Sequence, residues 1–318
     1  MRKLTVAALL PLLALTACGS GQETAASTDG GVTTVNVGVI PTIDVAPLYL
    51  AQKKGIFEKH GLKLELKEVQ SGAAATAAVM SGEYQFGFAA PVPEIQSQAK
   101  GLPITVVAGA ISQGPALSQA LVVKGGSPIN SVTDLAGKTV AVNALQGIND
   151  LVTRATVQNA HGNEKDLKFI ALPYPDMQAA LDTGRIDAAW LIEPMLSSAL
   201  AAGDKVISEN PQGALVGPDT SFSSYFTTRS YAKERASTVD RFVEAVNEAN
   251  EYAEQHPDEV RRIIPDYTAI KPDIAAKMAI GRYITTLDEP TYKVLGDYML
   301  QYGWIDKAPD LNTLLRRP

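Results

Sequence analysis

Pro47-Leu48-Tyr49-Leu50-Ala51-Gln52-Lys53-Lys54-Gly55, followed closely by Leu62-Lys63-Leu64-Glu65-Leu66-Lys67, places a helix, its stop and a strand in one short run. Pro47 suits the first helical position, where its missing N–H is one that a helix leaves unpaired anyway. Leu48, Leu50 and Ala51 carry the buried face, and Gly55 supplies the stop. In the second part Leu62, Leu64 and Leu66 alternate with Lys63, Glu65 and Lys67, a period of two that buries one face of a strand and wets the other. Such a strand belongs near a sheet edge.

The same alternation of elements extends in both directions. Residues 35–40 read as a first strand. Ser71, a hydroxyl that can cap a helix start, and Gly72 open an alanine-rich helix over 73–81, closed by Gly82. Strands at 86–89 and 104–110 flank a helix over 93–100, and 121–124 reads as a strand leading out of this first lobe. A second series follows, running through Asp134 to Val142, then a helix over 149–161, a strand at 167–172, a helix over 177–183, strands at 188–192 and 205–208, and a helix after Pro194. Alternating short apolar runs and amphipathic helices predict an α/β fold. Past Ser221 the alternation stops, and helices are expected over 239–255 with Ser237 as cap, 257–264, 273–284 and 290–302. Helices alone cannot complete a sheet-based half, so they are expected to return and cover the first lobe. The expected domains are therefore 35–121 as the first part of lobe 1, 122–215 as an inserted lobe 2, and 216–318 as the return crossover and the helices completing lobe 1.

The ends and the composition narrow the function. Arg2 and Lys3 precede an apolar run over 4–16 that is too short to span a bilayer comfortably, the pattern of a secretion signal, here 1–17. Leu15-Thr16-Ala17-Cys18 resembles the lipobox of bacterial lipoproteins, which implies lipidation of Cys18. A Gly/Ser/Thr/Ala-rich tether is expected over 18–34. Cys18 is the only cysteine of the 318 residues, which excludes disulfides, thiolate metal cages and a nucleophilic thiol from the mature body. The formal net charge is -6 and becomes more negative once the signal is removed, which argues against wholesale nucleic-acid binding. Neither a P-loop, a dinucleotide-binding glycine pattern, a His-Glu-x-x-His motif nor an acidic calcium loop occurs, so no metal or cofactor is expected. Gly125-Gly126-Ser127-Pro128 reads as a turn.

Four patterns in order resemble the substrate-binding proteins of ABC importers, the group that includes nitrate, taurine, alkanesulfonate and thiamine-pyrimidine-precursor binders. They are the stretch from Pro47 to Leu62; Gly72 to Met80 with Ser81-Gly82-Glu83-Tyr84-Gln85-Phe86-Gly87; Asp134-Leu135-Ala136-Gly137-Lys138-Thr139-Val140; and Gly184-Arg185-Ile186-Asp187-Ala188-Ala189-Trp190 with Glu193-Pro194. The resemblance implies a two-lobed type II periplasmic-binding-protein fold, each lobe a mostly parallel sheet flanked by helices, with crossovers near 117–121 and 218–225. It implies a monomer that captures a small molecule between the lobes and delivers it to an ABC permease with its ATPase subunit. The expected location is the outer face of the cytoplasmic membrane, by the lipid anchor alone, or the periplasm. An enzyme alternative comes from a pyrimidine-phosphate synthase of the same fold, but His60, His161 and His256 read as surface or helix-end residues, so no catalytic residue is assigned.

Open α/β sheets bind ligands beyond the carboxyl ends of their strands, where helix N-termini converge. That rule selects Thr42, Ile43 and Asp44 after the first strand; Ser71 and Gly72; Ala90 and Pro91; and Ser112. Lobe 2 adds Leu145, Gln146, Gly147, Tyr174, Trp190 and Glu193, and the return adds Ser221, Phe222 and Tyr225. Ser71 fits a cap as well as a contact, and Glu193 fits a helix start as well as a contact. Asp44 either biases the following helix or meets the ligand, in which case it would repel an oxyanion and attract a cationic or hydrogen-bond-donating compound. The ligand classes left open are a sulfonate- or nitrate-like anion, an aromatic acid and a pyrimidine-type compound.

Overall fold

The computed structural model describes residues 28, 29 and 31–317. The expected signal segment and Cys18 lie outside the described residues. Within the stretch expected as tether, Thr28–Asp29 (β1) pairs with Val32–Val39 (β2). β2 begins three residues before the expected strand because Val32, Thr33 and Thr34 are β-branched and already suit a pleated sheet.

Leu62–Glu68 (β3) and Phe86–Ala89 (β4) flank β2 in parallel, and Ile104–Ser112 (β5) follows. β3 stands at an edge, as its alternation predicts. The chain then crosses to a second sheet made of Gln119–Val123 (β6), Thr139–Val142 (β7), Lys168–Ala171 (β8), Ala188–Ile192 (β9) and Lys205–Glu209 (β10), in the order β10-β6-β9-β7-β8. β6 starts ahead of the expected lobe boundary at 121/122. The return strand Ser221–Thr228 (β11) inserts between β4 and β5, and Arg282–Tyr283 (β12) adds to the far side of β5.

Both sheets are mixed rather than mostly parallel. β11 runs antiparallel to β4 and β5, and β6 runs antiparallel to β9 and β10, whereas β2–β3, β2–β4, β7–β8 and β7–β9 are parallel. The cause is topological. A strand arriving from the other lobe enters its sheet from the hinge end, opposite to strands built by local strand–helix–strand units.

The C-terminal helices cover the first sheet. Ala236–Gln255 buries Val239, Phe242, Ala245, Val246 and Ala249 in the cluster formed by Val35, Val37 and Phe86, with Phe242 stacked on Phe86 at 3.7 Å. Ser237, expected as cap, lies inside that helix. Glu289–Gln301 packs on the helix Pro91–Ala99. The helix expected over 273–284 is absent. Only Pro272–Ala275 is helical, and the chain then extends into β12. Gly281 explains the close approach, since a Cβ there would lie 2.5 Å from the carbonyl oxygen of Ser112.

Candidate functional site

The parallel strands of both sheets end on one cleft between the lobes. Ile40 follows β2, Ala90 follows β4, Asn143 and Ala144 follow β7, and Ile192 ends β9; all line a cavity of about 900 Å³ counting its open mouth. Its floor is tight where two helix starts meet: a Cβ on Gly72 would come within 2.7 Å of Pro93 and 2.8 Å of Ala89. Apolar walls come from Ile43, Phe88, Ile111, Ile148 and Phe222.

Asp44 sits in a 3-10 turn, Ile43–Val45, that two tyrosines pin in place. The Tyr283 hydroxyl donates to the carbonyl of Ile43 at 3.0 Å, and that of Tyr267 to the carbonyl of Thr42 at 2.9 Å. Ser223 Oγ donates to Asp44 Oδ2 at 2.7 Å. Burial pushes the Asp44 carboxyl up to about 6, against the opposing pull of the Ser223 hydrogen bond. Across the cleft, Tyr174 accepts from Asn149 Nδ2 at 2.8 Å. Burial and, less strongly, the nearby charge of Asp44 raise its hydroxyl, so a carboxylate of one lobe faces a phenol of the other. Among the described residues no lysine or arginine lines the cleft, and Asp44 is its only carboxylate.

At the crossover between β5 and β6, the backbone N–H groups of Ser118 and Gln119 donate to Asn210 Oδ1. Their side chains behave otherwise. Ser118 Oγ and Gln119 Nε2 are buried at the cleft wall without a partner, a costly state for polar atoms unless something else satisfies them.

Of the residues expected at the site, Thr42, Ile43, Asp44, Gly72, Ala90, Leu145, Gln146, Gly147, Tyr174 and Phe222 line the cleft. The others stand elsewhere. Ser71 caps its helix, accepting from Ala74 N at 3.2 Å, and Pro91 is buried at the start of the next helix. Ser112 ends β5 opposite Ser221 and Arg282, while the Ser221 N–H is taken by Asp288 and Thr291. Tyr225 is wholly buried in the core of lobe 1.

Trp190, expected on the wall, is corrected to a core residue. Both faces of β9 are covered, and the indole packs with Leu121, Val140 and Leu151. Glu193 is corrected to a joint between lobes. Its carboxylate accepts from Ser197 N at 3.1 Å and Ser197 Oγ at 2.8 Å in its own lobe, and from Ala279 N at 3.1 Å in the other. Its carbonyl also accepts from Ile43 N at 3.3 Å. Burial raises this carboxyl despite those bonds. Gln96 Nε2 spans the same gap to the carbonyl of Gln146 at 2.8 Å.

Ser118, Gln119, Asn149, Ser223, Gln96 and Phe88 were missed by the sequence reading. Ser118 and Gln119 fall inside the expected crossover 117–121, and that position was the available signal.

The family described as NMT1/THI5 like matches residues 42–260. The taurine-binding periplasmic protein of Escherichia coli is 27% identical over 225 residues, covering 70% of this chain and 68% of its own. The alkanesulfonate-binding protein of Xanthomonas axonopodis pv. citri superposes with a TM-score of 0.76 at 17% identity, over 92% of this chain and 100% of that one. The periplasmic nitrate-binding protein of Synechocystis does so with a TM-score of 0.73 at 15% identity, over 90% and 86%. The chain has their two-lobed periplasmic-binding-protein fold.

Proposed function

The chain belongs to the NMT1/THI5-like family, and from that premise we propose that it is an extracytoplasmic solute-binding protein that captures a small molecule between its lobes and delivers it to an ABC importer. The observation that carries this reading is the cleft itself. Both lobes contribute strand ends, turns and apolar walls to one cavity, and hinge closure over such a cavity buries a small ligand without refolding either lobe. Relatives whose names state binding to taurine, alkanesulfonates and nitrate support it. None of the three histidines lines the cleft. His60 instead pairs with Glu248 at 2.9 Å, and His256 Nδ1 contacts the carbonyl of Tyr252 at 2.7 Å, so capture is favoured over catalysis.

The proposed partners are a permease and its ATPase subunit, met by a monomer anchored through lipid on Cys18. Replacing Cys18 by serine should abolish incorporation of a labelled fatty acid; persistent labelling would remove the anchor from the proposal. The test of capture is a thermal-shift screen of small solutes, since a ligand that binds only the folded state must raise the midpoint. A midpoint unmoved by any solute would count against capture.

A further inference from the structure

The cleft carries a charge pattern ill suited to a bare oxyanion. Asp44 is its only carboxylate, and among the described residues no lysine or arginine balances it there. Among the helices that start at the cleft, Pro91–Ala99 has proline at its first and third positions, whereas Gly72–Met80 and Ile148–Asn159 keep their first N–H groups, and proline has no N–H to offer an anion. Ser223 donates to Asp44, with weaker help from the Asp44 N–H and the Thr42 hydroxyl, and a carboxylate has acceptor sites beyond these. Two further polar atoms, Ser118 Oγ and Gln119 Nε2, wait unpartnered on residues 5% and 3% exposed. The Gln119 amide N–H calls for an acceptor. Phe88 and Phe222 supply apolar walls that a nitrate-sized ion would not use.

Resting on the capture reading, we infer that the cleft takes a small organic compound with an apolar body, an N–H-bearing cationic nitrogen group that docks on Asp44, and a hydrogen-bond acceptor that meets Gln119. Shape and charge select together. The apolar body fills the walls, and the nitrogen group neutralises the one charge that closure would otherwise bury alone. A sulfonate or nitrate at the same place would face like-charge repulsion.

The experiment is calorimetric titration of the purified full chain with two matched pairs, benzamidine against benzenesulfonate and taurine against ethanesulfonate. The first pair exchanges an amidinium for a sulfonate on the same ring, and the second differs in the ammonium alone, the sulfonate being common to both. At pH 7.5 the nitrogen-bearing member of at least one pair should bind at least tenfold tighter, and Asp44→Asn should abolish that preference. Should the variant fold poorly, the unmodified protein gives a second readout. Lowering the pH from 7.5 to 5 protonates Asp44, whose carboxyl sits near 6, and should weaken binding of the nitrogen-bearing probe about tenfold. Tyr174, Tyr225, Tyr267 and Tyr283, the titratable groups that feel Asp44, are all raised above their usual range and stay neutral throughout. Binding without a tenfold preference for the nitrogen-bearing member in either pair, or a preference unchanged in Asp44→Asn, overturns the inference and leaves capture standing. No binding by any of the four probes overturns the inference and counts against capture as well.

Discussion

Asp44 on the cleft and Glu193 at the joint beside it are two buried carboxylates of opposite lobes, 8% and 2% exposed, and the difference lies in what occupies their oxygens. Glu193 accepts three hydrogen bonds, two from its own lobe and one from the other. Asp44 accepts from Ser223, is helped by its own backbone N–H and the Thr42 hydroxyl, all within one lobe, and opens on the cavity. A carboxylate held from both lobes joins them; one that opens on the cavity is the one we propose for binding. Burial alone separates nothing here, because it raises both. The same contrast holds for two aromatics, Trp190 sealed in the lobe 2 core and Phe222 half-buried on the cleft wall.

The aromatic pair offers the largest effect. Trp190→Ala should cost about 4 kcal/mol of stability in urea unfolding, the range for emptying a large core site, whereas Phe222→Ala should cost under about 1.5 kcal/mol and act on ligand affinity. Equal costs would erase the distinction between core and wall. Next comes Glu193→Ala, which strands three donors and should lower stability by about 3 kcal/mol. It should also enlarge the radius of gyration in solution scattering as the lobes part. If the variant scatters like the parent, Glu193 is a helix-start residue and not a joint.

The third expectation concerns pH and sharpens the carboxylate comparison. Asp44 is raised from 3.8 to about 6 and Glu94, bonded to Ser224 and Tyr292, from 4.5 to about 8. A raised carboxyl holds its proton longer in the native state than in the unfolded chain, so stability is greatest below the unfolded values and falls as pH rises through the folded ones. Without ligand, Asp44 should account for a loss of about 2 kcal/mol between pH 4 and 7, and Asp44→Asn should make that part of the curve shallower, leaving the loss that Glu94 contributes from above pH 4.5 towards pH 8. The smallest effect belongs to Ser71→Ala, about 1 kcal/mol for a lost helix cap. Any change in ligand affinity there would restore Ser71 to the site.

Most of the first 210 residues could be read from hydrophobic period, because each strand–helix unit there is local and carries its own punctuation, such as Pro47 and Gly55. β11 and β12 could not. Residues 221–228, Ser-Phe-Ser-Ser-Tyr-Phe-Thr-Thr, lack a strong apolar run, yet they fill the middle of the first sheet because partners distant in sequence supply both edges. The site divides in the same way. Residues just beyond strand ends, such as Asp44, Gln146 and Tyr174, followed from the fold rule. Trp190 did not, since on a strand buried on both faces alternation cannot say which side faces a cavity. Ser118 and Gln119 escaped because their role comes from the crossing between lobes, which leaves no periodic trace.

The insertion of β11 between β4 and β5 also orders the birth of the molecule. Every strand of the second sheet lies within the single stretch Gln119–Glu209, whereas the first sheet stays split until residues 221–228 have emerged. As the chain appears from its N-terminus, lobe 2 can therefore close while lobe 1 still waits for its middle strand. The facing half of the cleft then forms against a partner already in place, the long-range pairing coming last as its loop-closure entropy demands.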